Sequence, residues 1–485
     1  MVGRRGRPHG SGGRAQGSPQ RIENCRTRPH HRRWRVGAPD YTIAAPFETP
    51  SFSLPKRITE HDIDRTRVSE KAVAVIEKLR AAGFDAYLVG GCVRDLLLGK
   101  SPKDFDVATD ATPEHVRKVF PRVRLVGRRF RIVHVRMGRE IIEVSTFRRA
   151  VSEADQEPHL SDDGMILRDN LYGTIDQDAF RRDFTVNALY YDPNAHVVLD
   201  YCDGMKDIAS GTLRLIGEPK IRFQEDPVRI LRAIRFAAKL DLKLHPDTEA
   251  AIAPMCEMLN AIPAARLFDE FIKLFLTGHG ERAFELLCDH DLVEILFPLP
   301  PHGESLAKLA LASTDQRLKE NKPVTPGFLI AAFLWQEYLD CLEPAATTAT
   351  DHGDDPANTA IAAQRSTIAI PRRHGWFARD VWHLQPLLAR RTSRNVARVL
   401  AHRRFRAAYD FLMIRCATGD APEELGEWWT NAQTQNTDAL LRELPSGRPR
   451  RRRRRRGGNR RNRAAPGNLN TANGGPSGPR EVVQP

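Results

Sequence analysis

Apolar residues recur at helical spacing from Ile63 to Ala82, with Val68, Ala72, Val75, Ile76 and Leu79 on one face, and Gly83 closes the run. Asp85–Val89 then predicts a short strand, Val93–Leu98 the start of a helix, and Asp104–Ala108 another strand. Thr112 and Pro113 suit the cap and first position of a helix reaching Phe120. Arg131–Met137 and Glu140–Thr146 read as two strands joined at Gly138-Arg139. This alternation runs to about Leu215 and predicts a small α/β domain. Beyond Gly217 the period becomes helical. Pro227–Leu240 is the clearest case, with Ile230, Leu231, Ile234, Ala237 and Ala238 on a single face and Asp226 placed to cap it. Further helical runs cover about 247–259, 264–277, 280–296, 304–312, 325–342, 375–391, 394–417 and 422–430, and 343–359 reads as a polar loop.

Composition adds boundaries. The chain has 485 residues, more than one domain's worth, and 41% hydrophobic residues, enough for a sizeable core. No run of about 18 apolar residues suggests a membrane span. The Arg- and Gly-rich start does not resemble a secretory signal. The seven cysteines are scattered without a CxxC, which argues against a zinc ribbon or a disulfide framework and fits a reducing cytoplasm. The net charge of +14 is unevenly distributed. Residues 1–54 carry +7 and residues 447–485 carry +11, so the stretch between is left with −4. Both ends are expected to be disordered. Their basicity, above all the Arg450–Arg456 run, fits a polyanion, with RNA the natural candidate.

Three clusters carry candidate chemistry. In the first, Gly90-Gly91 follows a predicted strand and precedes Arg94, offering backbone N–H groups and a guanidinium to a phosphate. Asp104 and Asp106 follow. Carboxylates two apart on a strand share a face, repel one another, and suit Mg²⁺ held against a substrate phosphate. Two such cations would activate an attacking hydroxyl and steady the leaving oxygen. In the second cluster, Arg181-Arg182-Asp183-Phe184-Thr185-Val186-Asn187, the arginines suit a triphosphate and Asn187 a ribose hydroxyl. Asp183 is the leading candidate for a third carboxylate, with Glu143, an acid within an apolar strand, its competitor. In the third, Glu225 and Asp226 stand four and three residues before Arg229 and can pin its guanidinium, giving a donor–acceptor edge complementary to a base; Arg232 follows.

In this order the three clusters resemble the class II nucleotidyltransferases of the polymerase-beta superfamily, which include bacterial poly(A) polymerases and tRNA CCA-adding enzymes. The resemblance is strong over roughly residues 60–300 and weaker to about 430. Leu125-Val126-Gly127-Arg128-Arg129-Phe130, Pro263-Ala264-Ala265-Arg266-Leu267-Phe268 and Phe405-Arg406-Ala407-Ala408-Tyr409-Asp410 are similar to the poly(A) polymerase branch, as is the Arg-rich C-terminal tail. The resemblance implies a mixed-sheet head over 55–215, a helical neck over 216–300 and a helical body and tail over 301–446. It implies Asp104, Asp106 and Asp183 as catalytic positions, with two Mg²⁺ held by Asp104 and Asp106. Nucleotide contacts would come from Gly90, Gly91, Arg94, Arg181, Asn187, Asp226, Arg229 and Arg232. The implied reaction is template-independent addition of AMP from ATP to RNA 3′ ends, in mRNA and other transcripts, in the cytoplasm and with contacts to RNA-decay machinery. CCA addition to tRNA is the alternative. A catalytically dead RNA-binding scaffold is disfavoured because all the candidate acids are retained.

Overall fold

The computed structural model describes residues 54–127, 131–150, 171–297, 299, 301–342 and 355–446. The expectations placed on the basic termini, on most of the 343–359 loop and on Arg128-Arg129-Phe130 lie outside those residues.

Eight strands form one mixed sheet: β1 (Lys56–Ile58), β2 (Ala86–Val89), β3 (Asp106–Thr109), β4 (Val123–Val126), β5 (Ile132–Met137), β6 (Glu140–Thr146), β7 (Leu189–Asp192) and β8 (Val197–Asp200), in the order β1-β8-β7-β2-β3-β6-β5-β4. Pairings within this sheet are antiparallel except that of β3 with β6. The parallel register sets Asp106 opposite Glu143, a pairing that matters below. One face of the sheet packs against helix α1 (Glu70–Ala81) and α2 (Gly91–Leu97), burying Val75, Ile76, Leu79, Val93, Leu88 and Val144. The other face buries Val89, Ala108, Phe147, Tyr190 and Leu199. Gly138 turns the β5–β6 hairpin at φ 64°.

After a short β pair near Leu213 and Leu244, the described chain is helical. The Val228–Leu240 helix is almost wholly buried and joins Phe184, Leu215 and Phe223 to the large helical core. The C-terminal helices close a separate core around Trp429 and Leu412.

Several element boundaries differ from the sequence expectation, each for a local reason. Helix α1 begins at Glu70 rather than Ile63, because the Ser69 hydroxyl accepts from the Ala72 amide and caps it. Asp226 is extended and does not cap the Val228–Leu240 helix through its side chain, which goes to Arg266 instead. A helix begins at Pro356, inside the expected polar loop, where Asp355 caps it. The run expected at 394–417 splits into Ser393–Leu400 and Phe405–Ala417.

Candidate active site

β2 ends at Val89, and Gly90 leaves it with φ 75° and ψ −128°, a conformation that suits glycine. A side chain there would stand 3.3 Å from Arg182 Nη1. β3 begins only at Asp106. Leu88 pairs with Val107, so once the chain swings away at Gly90 nothing on β2 can pair with residues before Asp106. Asp104 therefore lies in a bend outside the strand, exposed, beside a second hollow lined by Lys71, Lys103, Arg139 and Glu140. The expectation that Asp104 and Asp106 share a strand face is corrected on this point. Their charges still interact, because Asp104 contributes to the electrostatics of Asp106.

Asp106 opens on a cleft of about 540 Å³, whose lining includes Glu143, Arg181, Arg182, Asp183, Asp226 and Arg229. Burial, then the Glu143 carboxylate beside it, pushes the Asp106 carboxyl up to about 6, against the opposing pull of Arg182. Glu143 is itself half-exposed and meets His134 Nε2 at 3.2 Å.

Asp183 lies on the same cleft in a different state. Its Oδ1 accepts from the Phe184 amide at 2.8 Å and from Asn187 Nδ2 at 3.0 Å. Its Oδ2 accepts from Arg232 Nε at 2.8 Å and from Arg232 Nη2. Burial drives this carboxyl upward, but Arg232 and the hydrogen bonds outweigh it and hold the group well below the usual carboxylate range. Asn187 Oδ1 in turn accepts from Arg94 Nη1, and Arg94 donates to Asp95 through Nε and Nη2. A continuous polar chain thus runs Asp95–Arg94–Asn187–Asp183–Arg232. Arg94 is 3% exposed within it, so its guanidinium is committed to protein rather than held out toward a phosphate.

Arg181 and Arg182 are fixed from beneath by Asp178, which the sequence reading did not single out. Asp178 is 2% exposed. Its Oδ1 accepts from Arg181 Nη2 at 3.1 Å. Its Oδ2 accepts from Arg182 Nη2 at 2.9 Å and from the Tyr190 hydroxyl at 2.7 Å. Burial again opposes ionisation, and the two guanidinium groups and the Tyr190 hydroxyl overcome it. From the helical side, Arg222 Nη2 donates to the carbonyl oxygens of Arg181 and Arg182 at 2.6 and 2.8 Å.

Across the cleft, Arg229 Nη1 donates to Glu225 Oε2 at 2.7 Å and to the Arg222 carbonyl at 2.7 Å. Glu225 therefore pins it as expected. Asp226 pairs instead with Arg266, Oδ2 to Nη2 at 2.7 Å. Arg266 was visible in the sequence as part of Pro263-Ala264-Ala265-Arg266, but only its fold position brings it to Asp226.

Family models match residues 86–214 as "Poly A polymerase head domain", 241–301 as "Probable RNA and SrmB- binding site of polymerase A" and 347–462 as "Polymerase A arginine-rich C-terminus". The chain is 45% identical over 397 residues to poly(A) polymerase I of Haemophilus influenzae, covering 78% of this chain and 88% of that protein. The chain belongs to the bacterial poly(A) polymerase family. It is likewise 43% identical to the Escherichia coli O6:H1 poly(A) polymerase I, over 81% of this chain and 89% of that one. Similarity to the CCA-adding enzyme of Lactobacillus helveticus, 38% identical, reaches only 46% of this chain. Among solved structures, the Bacillus stearothermophilus CCA-adding enzyme in complex with CTP matches with a TM-score of 0.53 and 27% identity, over 75% of this chain and 81% of that one. The mixed-sheet head and helical continuation are the fold this family shares with the CCA-adding enzymes. No helix among the described residues is long and apolar enough to cross a membrane.

Among the described residues no three acids, histidines or cysteines already stand as a metal-ligand set. The donor chemistry nonetheless fits a hard divalent cation. Asp106 and Glu143 present oxygens in adjacent register, and the upward push on Asp106 is what a cation between them removes.

Proposed function

We propose that this chain adds AMP from ATP to RNA 3′ ends without a template, releasing pyrophosphate, and that the Asp106 cleft is where this occurs. The observation that supports it best is the pairing of Asp106 with Glu143 on one wall of a cleft whose other walls carry Arg181, Arg182 and Arg229. Two Mg²⁺, held by Asp104 and Asp106, would supply electrostatic stabilisation to the attacking and leaving oxygens.

The protein's own groups do the rest. Arg181 and Arg182 offer guanidinium forks to the triphosphate, and Asp178 keeps both aimed at it. The missing side chains at Gly90 and Gly91 let a phosphate approach the backbone. Asp226, Arg229 and Arg266 present a fixed polar edge to the base. The chain through Arg94, Asn187, Asp183 and Arg232 sets the distance between phosphate and base subsites. As the RNA 3′ oxygen bonds to the α-phosphorus, the α–β bridging bond breaks, and the arginines balance the charge on the departing pyrophosphate.

For the third acidic position we assign two roles. Glu143 stands beside the metals, and Asp183 acts as a positioning residue through Arg232 and Asn187. Glu143→Gln should raise the Mg²⁺ requirement, whereas Asp183→Asn should lower turnover at any Mg²⁺ concentration; the reverse pattern would exchange the two roles.

Extension assays with single nucleotides test the main reading. Long A tracts from ATP alone are expected, whereas a terminated C-C-A on tRNA would transfer the chain to the CCA-adding activity. Asp104→Ala should abolish AMP incorporation while sparing RNA binding. We further assign the activity to the cytoplasm, with contacts to RNA-decay proteins that co-purification at moderate salt would reveal.

A further inference from the structure

The hollow beside Asp104 has a volume of about 670 Å³, within the range of about 300 to 1,000 Å³ usual for ligand sites. Strand pairing creates it. β6 starts at Glu140, ahead of the point where Glu143 meets Asp106, the first residue of β3. Residues 140–142 therefore have β5 on one side, while β3 does not reach them on the other. The bend at 103–105 and the start of α1, at Ser69, Glu70 and Lys71, wall off the space that is left. Because β3 and β6 are parallel, the hollow begins past the same strand ends at which Asp106 and Glu143 stand, so it adjoins their wall of the cleft.

Two cations in this hollow are uncommitted. Lys71 Nζ meets Glu140 Oε1 at 2.6 Å, and the Ser69 hydroxyl donates to Glu140 Oε2 at 3.2 Å, so that pair is closed. Glu70 lies in the first turn of α1, where the helix's amide end answers a negative charge. Lys103 and Arg139 are exposed, and among the described residues neither has an ion-pair partner. Ile141, also lining the hollow, is 56% exposed.

We propose that this hollow receives the 3′-terminal nucleotides of the RNA, with Lys103 and Arg139 on their phosphates and the last base against Ile141. This rests on the function proposed above. In-line displacement puts the attacking hydroxyl and the departing pyrophosphate on opposite sides of the α-phosphorus. Arg181 and Arg182, assigned to the triphosphate, line the cleft and not the hollow. The hydroxyl is thus left to arrive at Asp104 and Asp106 from the side those arginines leave open. Lysine and arginine hold any phosphate, and an isoleucine face covers any base, so entry imposes no sequence.

The test uses the full chain with Lys103→Gln and Arg139→Gln together. Both side chains are exposed, so the fold should be kept, as a melting curve will check. Binding of a short and a long labelled oligoadenylate is followed by anisotropy between about 50 and 200 mM salt. Two lost phosphate contacts change the log–log slope by about 1.4, so the wild type should lose about sevenfold more affinity than the variant across that range. The KM for RNA should rise in the same proportion for both primers, with the KM for ATP unchanged. Ile141→Ser should raise the RNA KM without moving the salt slope. An unchanged slope and RNA KM in a folded double variant overturn the proposal. A rise confined to the long primer also overturns it, by placing the cations upstream of the 3′ end, and so does a rise in the KM for ATP alone, which would give them to the triphosphate. Failure of the wild type to incorporate AMP would sink the functional reading instead, leaving the short oligonucleotide's anisotropy to judge the hollow alone.

Discussion

Two sets of carboxylates stand at one cleft or beneath it, and live under opposite electrostatic conditions. Asp106 and Glu143 stand side by side on a parallel strand pair, and Asp106 is pushed up to about 6 by burial and by its neighbour. Asp178 and Asp183 are more deeply enclosed, yet each is held well below the ordinary range by arginines and hydrogen bonds. Burial acts in the same direction on Asp106, Asp178 and Asp183. What differs is whether positive groups and hydrogen bonds within the chain outweigh it, as they do at Asp178 and Asp183 but Arg182 does not at Asp106. On the proposed mechanism the first pair awaits a cation, whereas the second already has its partners within the chain.

The sharpest way to break this contrast is Asp106→Asn. AMP incorporation should fall by about 10³-fold or more, because the cations lose their central ligand, with the melting temperature little changed. Activity within tenfold of wild type would remove Asp106 from the reaction. Asp178→Asn should act mainly on stability. Removing one member of a buried, charged cluster leaves the others unpaired and typically costs about 3–5 kcal/mol. Urea unfolding measures this, and a KM for ATP that rises together with the loss would show the arginines drifting.

Acid should separate the pairs next. Because Asp178 and Asp183 have depressed values when folded, their stabilisation is fully present above the unfolded value of about 3.9 and is lost as pH falls below it. Unfolding free energy should therefore decline as pH falls from about 4 toward the depressed folded values, and more shallowly in Asp178→Asn. The smallest effect expected is thermal. Mg²⁺ at a hundredfold excess over its dissociation constant should stabilise the wild type by about 2.7 kcal/mol, and the gain should vanish in Asp106→Asn.

Local pattern was enough to read the elements of the head. The amphipathic face of α1, the hairpin at Gly138 and the buried face of the Val228–Leu240 helix all follow from residue spacing. Members of each motif cluster, Asp106, Asp183, Arg181 and Arg229, line one cleft, whereas Asp104 lies beside another hollow and Arg94 is committed within the protein. Partnership was not legible. Asp226 and Arg266 are forty residues apart in the chain, and nothing local says that Asp226 prefers that partner to a helix cap. Asp178 looks in sequence like one more acid in the first turn of a helix; only its enclosure between two arginines and Tyr190 gives it meaning. Asp104 was misplaced for a related reason. Strand spacing puts i and i+2 on one face only within a strand, and β3 begins at Asp106, so Asp104 falls outside it.

Arg222 belongs to the helical side yet grips the main chain of Arg181 and Arg182. It also contacts Glu225, the residue that secures Arg229. One guanidinium thereby ties the arginines proposed for the triphosphate to the residues proposed for the base. If the proposed nucleotide contacts hold, a substitution at Arg222 should disturb the Arg181–Arg182 and Arg229 groups together.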